Sequence, residues 1–497
     1  MLPPGVNPPK KGQVCKLIRA IYGLRQSSRE WNLLIDNHLL SIGFTKTAAD
    51  GNVYFQRKDS DFILLALYVD DTLIASTSLP LLTQVKEQLC GRFMMTDLGP
   101  AQHCLSIQIM QDPNRHWIRI NQSHYLLQKL IEFELIDAKP VSTPMLPGLK
   151  LSKQDSPQSE EEKSRLSEFG FPNAIGSVNW ATVCTRPDLS FSVGVLSQFM
   201  SNPGEKHIAA MKHLFRYIKG TVHYYIEYSY SKVHRPLYGY SDADWAGEID
   251  ERKSTSGHCF IITGGAVSWS SKRQKTSALS STEAEYVAMA AAAAEGVWLR
   301  QLLEDIQLGD SQPTTIHCDN MSALALVDTT KFHNRTKHIA IRYNFIKQLA
   351  SDKKIQFSYI PTQQQSADLF TKGLSGTSRE GDRTCGFCLQ KFNKSQKFEA
   401  AIKAEGCPSV SPYGQSKPYR ARGGFVKEDV IYMVKEDLSF SRAPALNRLP
   451  LQPGVEAKEI SIGEKEILLL VQATLVSKTP LTDVFGPLFD KDGEPRT

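Results

Sequence analysis

The sequence lacks the features of membrane and secreted proteins. None of its apolar runs approaches the roughly 18 residues that a membrane-spanning helix needs. Its N-terminus has no basic, apolar and small-residue series of the kind that forms a signal peptide. Its nine cysteines are scattered, and without a secretory signal they are expected to be reduced thiols. We therefore expect an intracellular protein, in the cytoplasm or nucleus, that contacts no membrane.

The chain also has little excess charge of either sign. Its 58 Lys and Arg residues oppose 52 Asp and Glu residues, which leaves a net charge of +6. This mildly basic balance is compatible with a nucleic-acid partner but is weak evidence for one. With 497 residues, the chain is long enough for about three domains with sizeable cores.

A pair of adjacent aspartates between two apolar runs is the most informative motif. Residues 62–69 and 73–75 are apolar runs that flank Asp70 and Asp71, with Tyr68 just before the pair. Two strand-like runs joined in this way predict a β-hairpin with carboxylates at its tip. Adjacent carboxylates on rigid strands are costly unless a cation such as Mg²⁺ neutralises them. An exposed Asp-Asp turn is the alternative, but the apolar flanks and the Tyr-x-Asp-Asp order favour a metal site.

Four further carboxylates lie on separate predicted elements in the second half of the chain. They are Asp242 in a strand, Glu285 on an Ala-rich helix, Asp319 at a strand end and Asp368 at a helix start. Phosphodiester hydrolysis by two metal ions, about 3.5–4 Å apart, needs carboxylates that converge from separate rigid elements. Small alanine side chains would let the helix approach the sheet closely. The alternative is four ordinary surface acids.

The elements around these acids indicate a mixed α/β sheet with helices packed against it. The predicted strands cover 237–245, a hairpin at 257–269 around Gly264-Gly265, 314–318 and 354–360, and the predicted helices cover 282–306, 322–327, 338–349 and 366–371.

Several segments follow one another in an order typical of one family. They are AIYGLRQSSREW at 20–31, LYVDDTLIA at 67–75, TRPDL at 185–189 and HLFRYIKGT at 213–221. This order resembles the reverse transcriptase region of copia-type retrotransposon Pol polyproteins. The resemblance implies an RNA-directed DNA polymerase lineage, in which Asp70 and Asp71 bind catalytic metal ions. It also implies a third carboxylate on an earlier strand, which the residues before Tyr68 do not match, so we expect no polymerase activity from this chain alone.

The four later acids stand in motifs that resemble the ribonuclease H part of the same polyproteins. The motifs are YSDADWAG at 240–247, STEAEYVA at 281–288, HCDN at 317–320 and QSADLFTK at 365–372. The resemblance implies a ribonuclease H fold that cuts RNA in RNA–DNA hybrids with Mg²⁺ or Mn²⁺ held by Asp242, Glu285, Asp319 and Asp368. Glu283 is a neighbouring acid that fits the motif less well.

Nucleic-acid contacts are expected at a basic segment and at one histidine. Lys272, Arg273 and Lys275 lie in a segment that the family places between strands, where they would follow a phosphate backbone. A solvated basic turn is the alternative. His338 is expected to orient substrate or product, or to be an ordinary histidine at a helix start. Ala340 and Asn344 replace the Asp and His of the family, which weakens the expectation of full activity.

The C-terminal part has a different character. Residues 425–497 contain FVKEDVIYMV at 425–434 and LVSKTPLTDVF at 475–485, which resemble a plant family of domains of uncharacterised function. The basic stretch 376–424 contains Cys385, Cys388 and Cys407, an incomplete ligand set for tetrahedral zinc. Unligated thiols are the expected state, and zinc is the alternative.

These observations predict an α/β multidomain protein. Its regions are a truncated reverse transcriptase palm and thumb at 1–150, an exposed linker at 151–170, a helical connection at 171–230, a ribonuclease H-like domain at 231–375, a basic linker at 376–424 and a small α+β domain at 425–497. The main hypothesis is a Pol fragment with ribonuclease H activity. The alternatives are a non-catalytic nucleic-acid-binding remnant and a mis-joined gene product in which only the C-terminal domain functions.

Overall fold

The structure, a computed structural model, describes Leu24 and residues 26–113, 116–229, 237–328, 340–373 and 432–436. Within these residues the chain forms three β-sheets with packed helices, so the expected α/β multidomain class is confirmed. The helices are α1 (Ser27–Ser41), α2 (Leu79–Arg92), α3 (Ser123–Glu132), α4 (Glu160–Ser167), α5 (Phe171–Cys184), α6 (Ser190–Ser197), α7 (Glu205–Gly220), α8 (Ser281–Asp305), α9 (Met321–Asp328) and α10 (Ala340–Ser351). None of the helices among these residues has the length and apolarity required to cross a membrane.

The strands divide among the three sheets. The strands are β1 (Thr45–Lys46), β2 (Val53–Lys58), β3 (Asp61–Tyr68), β4 (Asp71–Ser76), β5 (Met95–Pro100), β6 (His103–Cys104), β7 (Ile107–Asp112), β8 (Trp117–Asn121), β9 (Ile226–Ser229), β10 (Tyr238–Asp244), β11 (Thr255–Ile262), β12 (Gly265–Arg273), β13 (Thr314–Cys318), β14 (Ile355–Tyr359) and β15 (Tyr432–Glu436). The first sheet has the order β1-β2-β3-β4-β15-β5, the second β6-β7-β8-β9 and the third β12-β11-β10-β13-β14.

The first sheet is antiparallel and is buried on both faces around β3. Side chains alternate between the two faces of a strand. Accordingly, Ile63 and Leu65 join a core with α1 and α2, whereas Phe62 and Leu64 face the core that continues into the third sheet. This explains why β3 has a continuous apolar sequence rather than an alternating one.

The helical part contradicts the interpretation of 151–170 as an exposed linker. This segment contains a short 3-10 helix, Lys153–Asp155, and the helix α4. Leu151 and Leu166 are buried in the core formed by α3, α5, α6 and α7. The segment is rich in Ser, Glu and Lys, and its two buried leucines are too widely spaced to form a periodic apolar pattern, so the sequence did not indicate their burial.

The third sheet has the predicted mixed topology. β10 pairs with β13 and β13 with β14 in parallel, whereas β11 is antiparallel to both β10 and β12. The Ala-rich helix α8 packs on this sheet, with Ala288, Ala292 and Ala293 fully buried. Small side chains therefore do permit the close helix–sheet contact that the sequence suggested.

The end of α8 also contacts the first sheet. Trp298 Nε1 donates a hydrogen bond to the Ala49 carbonyl oxygen at 3.0 Å. The Asp305 carboxylate accepts from the backbone N–H groups of Ala48 and Ala49, both at 2.8 Å. The same helix thus carries Glu285 near its start and a docking contact near its end.

A buried ion pair stabilises the helical part. The Arg186 side chain, with no solvent exposure, donates to both carboxylate oxygens of Asp188 at 2.9 and 2.7 Å. It also contacts Thr221, while the Tyr217 hydroxyl donates to Asp188 at 2.9 Å. The network pairs the charged groups of TRPDL with each other and with neighbouring residues of the protein.

We expect Arg186→Met to destabilise the protein by about 3–5 kcal/mol, because it leaves the Asp188 carboxylate buried without its cation. Denaturant unfolding of the full chain measures the loss. Arg165 forms an exposed ion pair with Glu205 at 2.7 Å, so the control Arg165→Met should cost less than about 1 kcal/mol. Equal losses in the two variants would contradict the special role of the buried pair.

Candidate active site

The four predicted carboxylates meet at one edge of the third sheet. Asp242 lies near the end of β10, and Asp319 directly follows β13, the parallel neighbour of β10. Their register pairs Tyr240 with His317, and continuing it by two residues brings Asp242 level with Asp319. Glu285 lies in the second turn of α8, and Asp368 lies in the 3-10 helix Ser366–Phe370.

Short distances and charge interactions link the four groups. A carboxylate oxygen of Glu285, one of Asp319 and the Cys318 sulfur all lie within 4.8 Å of one another. Burial raises the pKa of Asp242, and the charges of Asp368 and Asp319 raise it further. Burial also raises the pKa of Glu285, with further contributions from Asp242 and Asp319. Each charge therefore makes ionisation of the others less favourable.

The two glutamates of α8 have different environments. Glu283 Oε2 accepts a hydrogen bond from the Leu279 backbone N–H at 2.8 Å, close to the helix N-cap at Ser280. The Ala243 backbone N–H lowers the pKa of Glu285, but the buried Oε2 of Glu285 has no hydrogen-bond partner among the described residues. An oxygen desolvated in this way fits a hard divalent cation, which prefers oxygen ligands. This geometry favours Glu285 over Glu283 as a ligand.

Thr371 and Lys372, which follow Asp368 in the chain, contact the carboxylates directly. The Thr371 hydroxyl donates a hydrogen bond to Asp242 Oδ2. Lys372 Nζ lies 2.8 Å from Asp368 Oδ1 and 3.9 Å from Asp242 Oδ2. The ammonium group lowers the pKa of Asp242, although burial outweighs it. Both residues belong to the QSADLFTK motif, but the sequence alone indicated no role for either of them.

Two further side chains fix the positions of these carboxylates. Thr362 Oγ1 donates to Asp319 Oδ2 at 2.7 Å. Gln365 Nε2 donates at 3.0 Å to the Ser241 carbonyl oxygen, next to Asp242. Both come from the segment after β14, so this segment ties Asp319 and Asp242 to the turn that carries Asp368.

A glycine on the neighbouring strand permits this close approach. Gly257 pairs with Asp242 across β10 and β11. A Cβ atom at Gly257 would lie 2.7 Å from Phe370 Cβ, 2.8 Å from Thr371 Cγ2 and 3.0 Å from the Ala367 carbonyl oxygen. The segment that contains Asp368 and Thr371 can therefore reach Asp242 only because this position has no side chain. No local sequence pattern reveals such a contact.

Cys318 is a member of the cluster that sequence reasoning missed. It is fully buried, and burial with the Glu285 charge raises the pKa of its thiol to about 12. The protonated thiol sulfur accepts the Asn320 backbone N–H at 3.4 Å. A thiol is a poor ligand for Mg²⁺, so the oxygen atoms of the cluster remain the candidate metal ligands.

The other predicted acids form the tip of a separate hairpin. Tyr68 and Asp71 are the last pair of β3 and β4, and Val69 and Asp70 form the turn. Val69 adopts a positive φ of 54°, and its carbonyl oxygen accepts a hydrogen bond from Trp31 Nε1 of α1. The predicted hairpin is thus present with Asp70 and Asp71 at its tip, in a different sheet from the other four acids.

The structure describes three of the four residues that were predicted to contact nucleic acid. Lys272 and Arg273 lie on the end of β12 rather than between strands, and Lys275 follows it. Lys272 and Lys275 are exposed, whereas Arg273 lies 3.6 Å from Glu251 Oε1. The remaining predictions lie outside the described residues, namely those for His338, Cys385, Cys388, Cys407, the linker 376–424 and most of 425–497.

Comparison with known proteins identifies the family. Residues 1–147 match the family "Reverse transcriptase (RNA-dependent DNA polymerase)". A transposon Ty5-1 protein of Saccharomyces cerevisiae is 31% identical over 57% of this chain and 91% of its own length. The Pol polyprotein of transposon TNT 1-94 from Nicotiana tabacum is 41% identical over 73% of this chain. The chain belongs to the copia-type retrotransposon Pol family.

The chain matches only part of these relatives, so their activities cannot simply be assigned to it. It covers only 27% of the length of the tobacco Pol polyprotein. Among solved structures, a ribonuclease H1 isolated from compost is similar over 27% of this chain and 92% of its own, with 14% identity and a TM-score of 0.23. The family match and the relatives confirm the retrotransposon Pol lineage with its reverse transcriptase domain, while the roles of individual residues stay predictions.

Replacing Gly257 by Ala should destabilise the protein by about 1–3 kcal/mol, because the new methyl group overlaps Phe370 and Thr371. The free energy of unfolding of the full chain is the measurement. At Gly176, inside α5, a Cβ atom would have no neighbouring atom within 4 Å, so Gly176→Ala should be neutral or slightly stabilising. A neutral Gly257→Ala variant would show that the contact is less tight than the structure indicates.

The raised pKa values predict a pH dependence in the absence of metal. A carboxyl group whose pKa is raised by folding binds its proton more tightly in the folded state. Stability is then fully present below the unfolded pKa near 4 and is lost as the pH rises toward the folded value. In EDTA, we expect Tm to fall between pH 5 and 8 (roughly the window above the unfolded pKa) and Glu285→Gln to reduce that fall.

The matched control for this pH experiment is Glu283→Gln, two residues away on the same helix. Its carboxylate accepts the Leu279 backbone N–H and is not part of the cluster. It should keep the wild-type decline of Tm. A wild-type Tm that is constant over this pH range would contradict the predicted repulsion.

Proposed function

We propose that the third sheet carries a divalent-metal-dependent ribonuclease H site that cuts the RNA strand of RNA–DNA hybrids. Asp242, Glu285, Asp319 and Asp368 would hold the metal ions, with Mg²⁺ or Mn²⁺ as the expected cation. The proposal rests mainly on one observation. The buried Glu285 Oε2 has no hydrogen-bond partner among the described residues, while a carboxylate oxygen of Glu285 lies within 4.8 Å of one of Asp319 and the Asp242 charge raises the pKa of Glu285.

The chemistry follows from the placement of these carboxylates. Metal ions bound by such a set activate water and stabilise the leaving oxygen of a phosphodiester. β10, β13 and α8 are rigid elements that set the positions of Asp242, Asp319 and Glu285, so little rearrangement is needed to form the site. The segment after β14 completes it by bringing Asp368 to the same edge.

The nucleic-acid partner is part of the same proposal. Lys272 and Lys275 are exposed at the end of β12, where ammonium groups can pair with a phosphate backbone. Such contacts weaken as salt is added, because counterions compete for the phosphates. The hairpin acids Asp70 and Asp71 remain the predicted metal ligands of the reverse transcriptase lineage.

One observation supports a second candidate function, a non-catalytic nucleic-acid-binding remnant. Lys372 already supplies a positive charge to Asp368 at 2.8 Å and to Asp242 at 3.9 Å. A protein cation in this position partly does what a bound metal ion would do. Hybrid binding that is sensitive to salt but produces no cleavage would favour this candidate.

We expect the full chain to cleave the RNA strand of a labelled RNA–DNA hybrid in Mg²⁺ and not in EDTA. Changes to residues that only orient metal ligands typically cost 10–100-fold, so the ligand change Asp319→Asn should reduce the rate by at least about 100-fold. The control Glu283→Gln should keep the wild-type rate, because Glu283 caps the helix outside the cluster. Equal rates for wild type and Asp319→Asn would refute the catalytic role.

A further inference from the structure

The connection between β4 and β5 leaves room for one strand. β4 continues through α2 into β5, and β15 pairs antiparallel with both strands. β4 and β5 therefore run parallel to each other with a single strand position between them. This arrangement is a split β-α-β unit, whose middle strand must come from another part of the chain.

The strand in this position comes from the far end of the described sequence. On one side the register pairs Met433 with Leu73 and Lys435 with Asp71. On the other side it pairs Lys435 with Thr96 and Glu436 with Met95. Tyr432–Glu436 is thus hydrogen-bonded on both sides and is an interior strand of the first sheet.

The backbone N–H and C=O groups of β4 need hydrogen-bond partners, which explains why the position between β4 and β5 is filled. Thr72, Leu73 and Ile74 of β4 are buried. Buried N–H and C=O groups without partners cost free energy comparable to a lost hydrogen bond, and open strand edges promote aggregation. The residues 430–434, Val-Ile-Tyr-Met-Val, have the β-branched and aromatic composition that is typical of a strand.

We propose that residues 432–436 are an obligatory strand of the reverse transcriptase-type sheet, inserted by the same polypeptide. Residues 432–436 are then a structural part of the first sheet rather than part of an independent appendage. Because β15 runs antiparallel to β4, its end at Glu436 lies at the edge of the sheet where the Val69–Asp70 turn is located. The position next to the Asp71 strand is consequently closed to a strand from any other polypeptide.

Paired cysteines in the full chain test the insertion. Facing residues of antiparallel strands have Cα atoms about 4.5–5.5 Å apart, within the range of a disulfide. Asp71→Cys with Lys435→Cys reports on the β4 side, and Met95→Cys with Glu436→Cys reports on the β5 side. Both are made in a Cys90→Ser background, since Cys90 is an exposed free thiol. We expect both disulfides to form under mild oxidation, as monomers on a non-reducing gel, with the bond mapped by peptide mass spectrometry.

The control pair is Asp71→Cys with Tyr432→Cys. Tyr432 lies three residues from the partner of Asp71, or about 10 Å along the strand, which is too far for a disulfide. Equal cross-linking of the control and in-register pairs, or no cross-linking of either in-register pair, would overturn the insertion. A disulfide that joins two chains would overturn its formation within one polypeptide.

A second measurement does not depend on cysteine chemistry. Val434→Pro removes a backbone N–H from an interior strand, where proline is not tolerated. Hydrogen exchange should become faster in peptides that cover β4 and β5, while the peptide that covers β2 serves as an internal reference. Unchanged exchange in β4 and β5 would show that the sheet does not need this strand.

Discussion

The mutual repulsion of buried carboxylates is the constraint on which the third sheet depends. Asp242 and Glu285 are both almost inaccessible to solvent, the charges of Asp368 and Asp319 raise the pKa of Asp242, and the charges of Asp242 and Asp319 raise the pKa of Glu285. Such a cluster persists only because surrounding groups hold it in place. The Thr371 hydroxyl, the Lys372 ammonium group and the Ala243 backbone N–H all act on it. The small residues of α8 and the absent side chain of Gly257 let these groups come close enough. Close packing therefore brings the groups that stabilise the buried carboxylates within reach of them.

The cations available to this cluster connect its stability with its proposed activity. Lys372 contacts two of the four acids, Asp368 and Asp242. Among the described residues, Glu285 Oε2 lacks a hydrogen-bond partner, and a carboxylate oxygen of Glu285 lies within 4.8 Å of one of Asp319. Compensation among these four acids is therefore uneven, because Glu285 keeps a buried oxygen without a hydrogen-bond partner among the described residues. A divalent ion bound there would relieve the repulsion that Lys372 leaves in place. The same argument explains why destabilisation without metal and dependence on metal are expected from one set of residues.

Features that depend on local sequence could be predicted, and those that depend on distant contacts could not. The β3–β4 hairpin, the helix α8 and the strand β13 follow from short apolar patterns, and the expected bounds differ from the observed ones by a residue or two. The four acids were found because each lies in a motif at the end of an element. The role of Gly257 depends on a contact with Phe370, more than a hundred residues away. The burial of Leu166 and the pairing of the strand Tyr432–Glu436 could not be predicted for the same reason. Nothing near them in sequence specifies their partners.

The chain contains two sets of acids whose surroundings differ. Asp70 and Asp71 lie at a hairpin tip and are only partly buried as residues, although Asp71 Oδ1 itself is inaccessible to solvent. Trp31 fixes the turn by donating a hydrogen bond to the Val69 carbonyl oxygen, which is a backbone atom and not a carboxylate. Asp242 and Glu285 are desolvated, so their charges act on each other more strongly than at the surface. Ionising the buried cluster is therefore more costly than ionising exposed carboxyl groups, and a bound cation would lower that cost. For this reason, the motif that identifies the family is a weaker indicator of retained metal binding than the four acids of the third sheet.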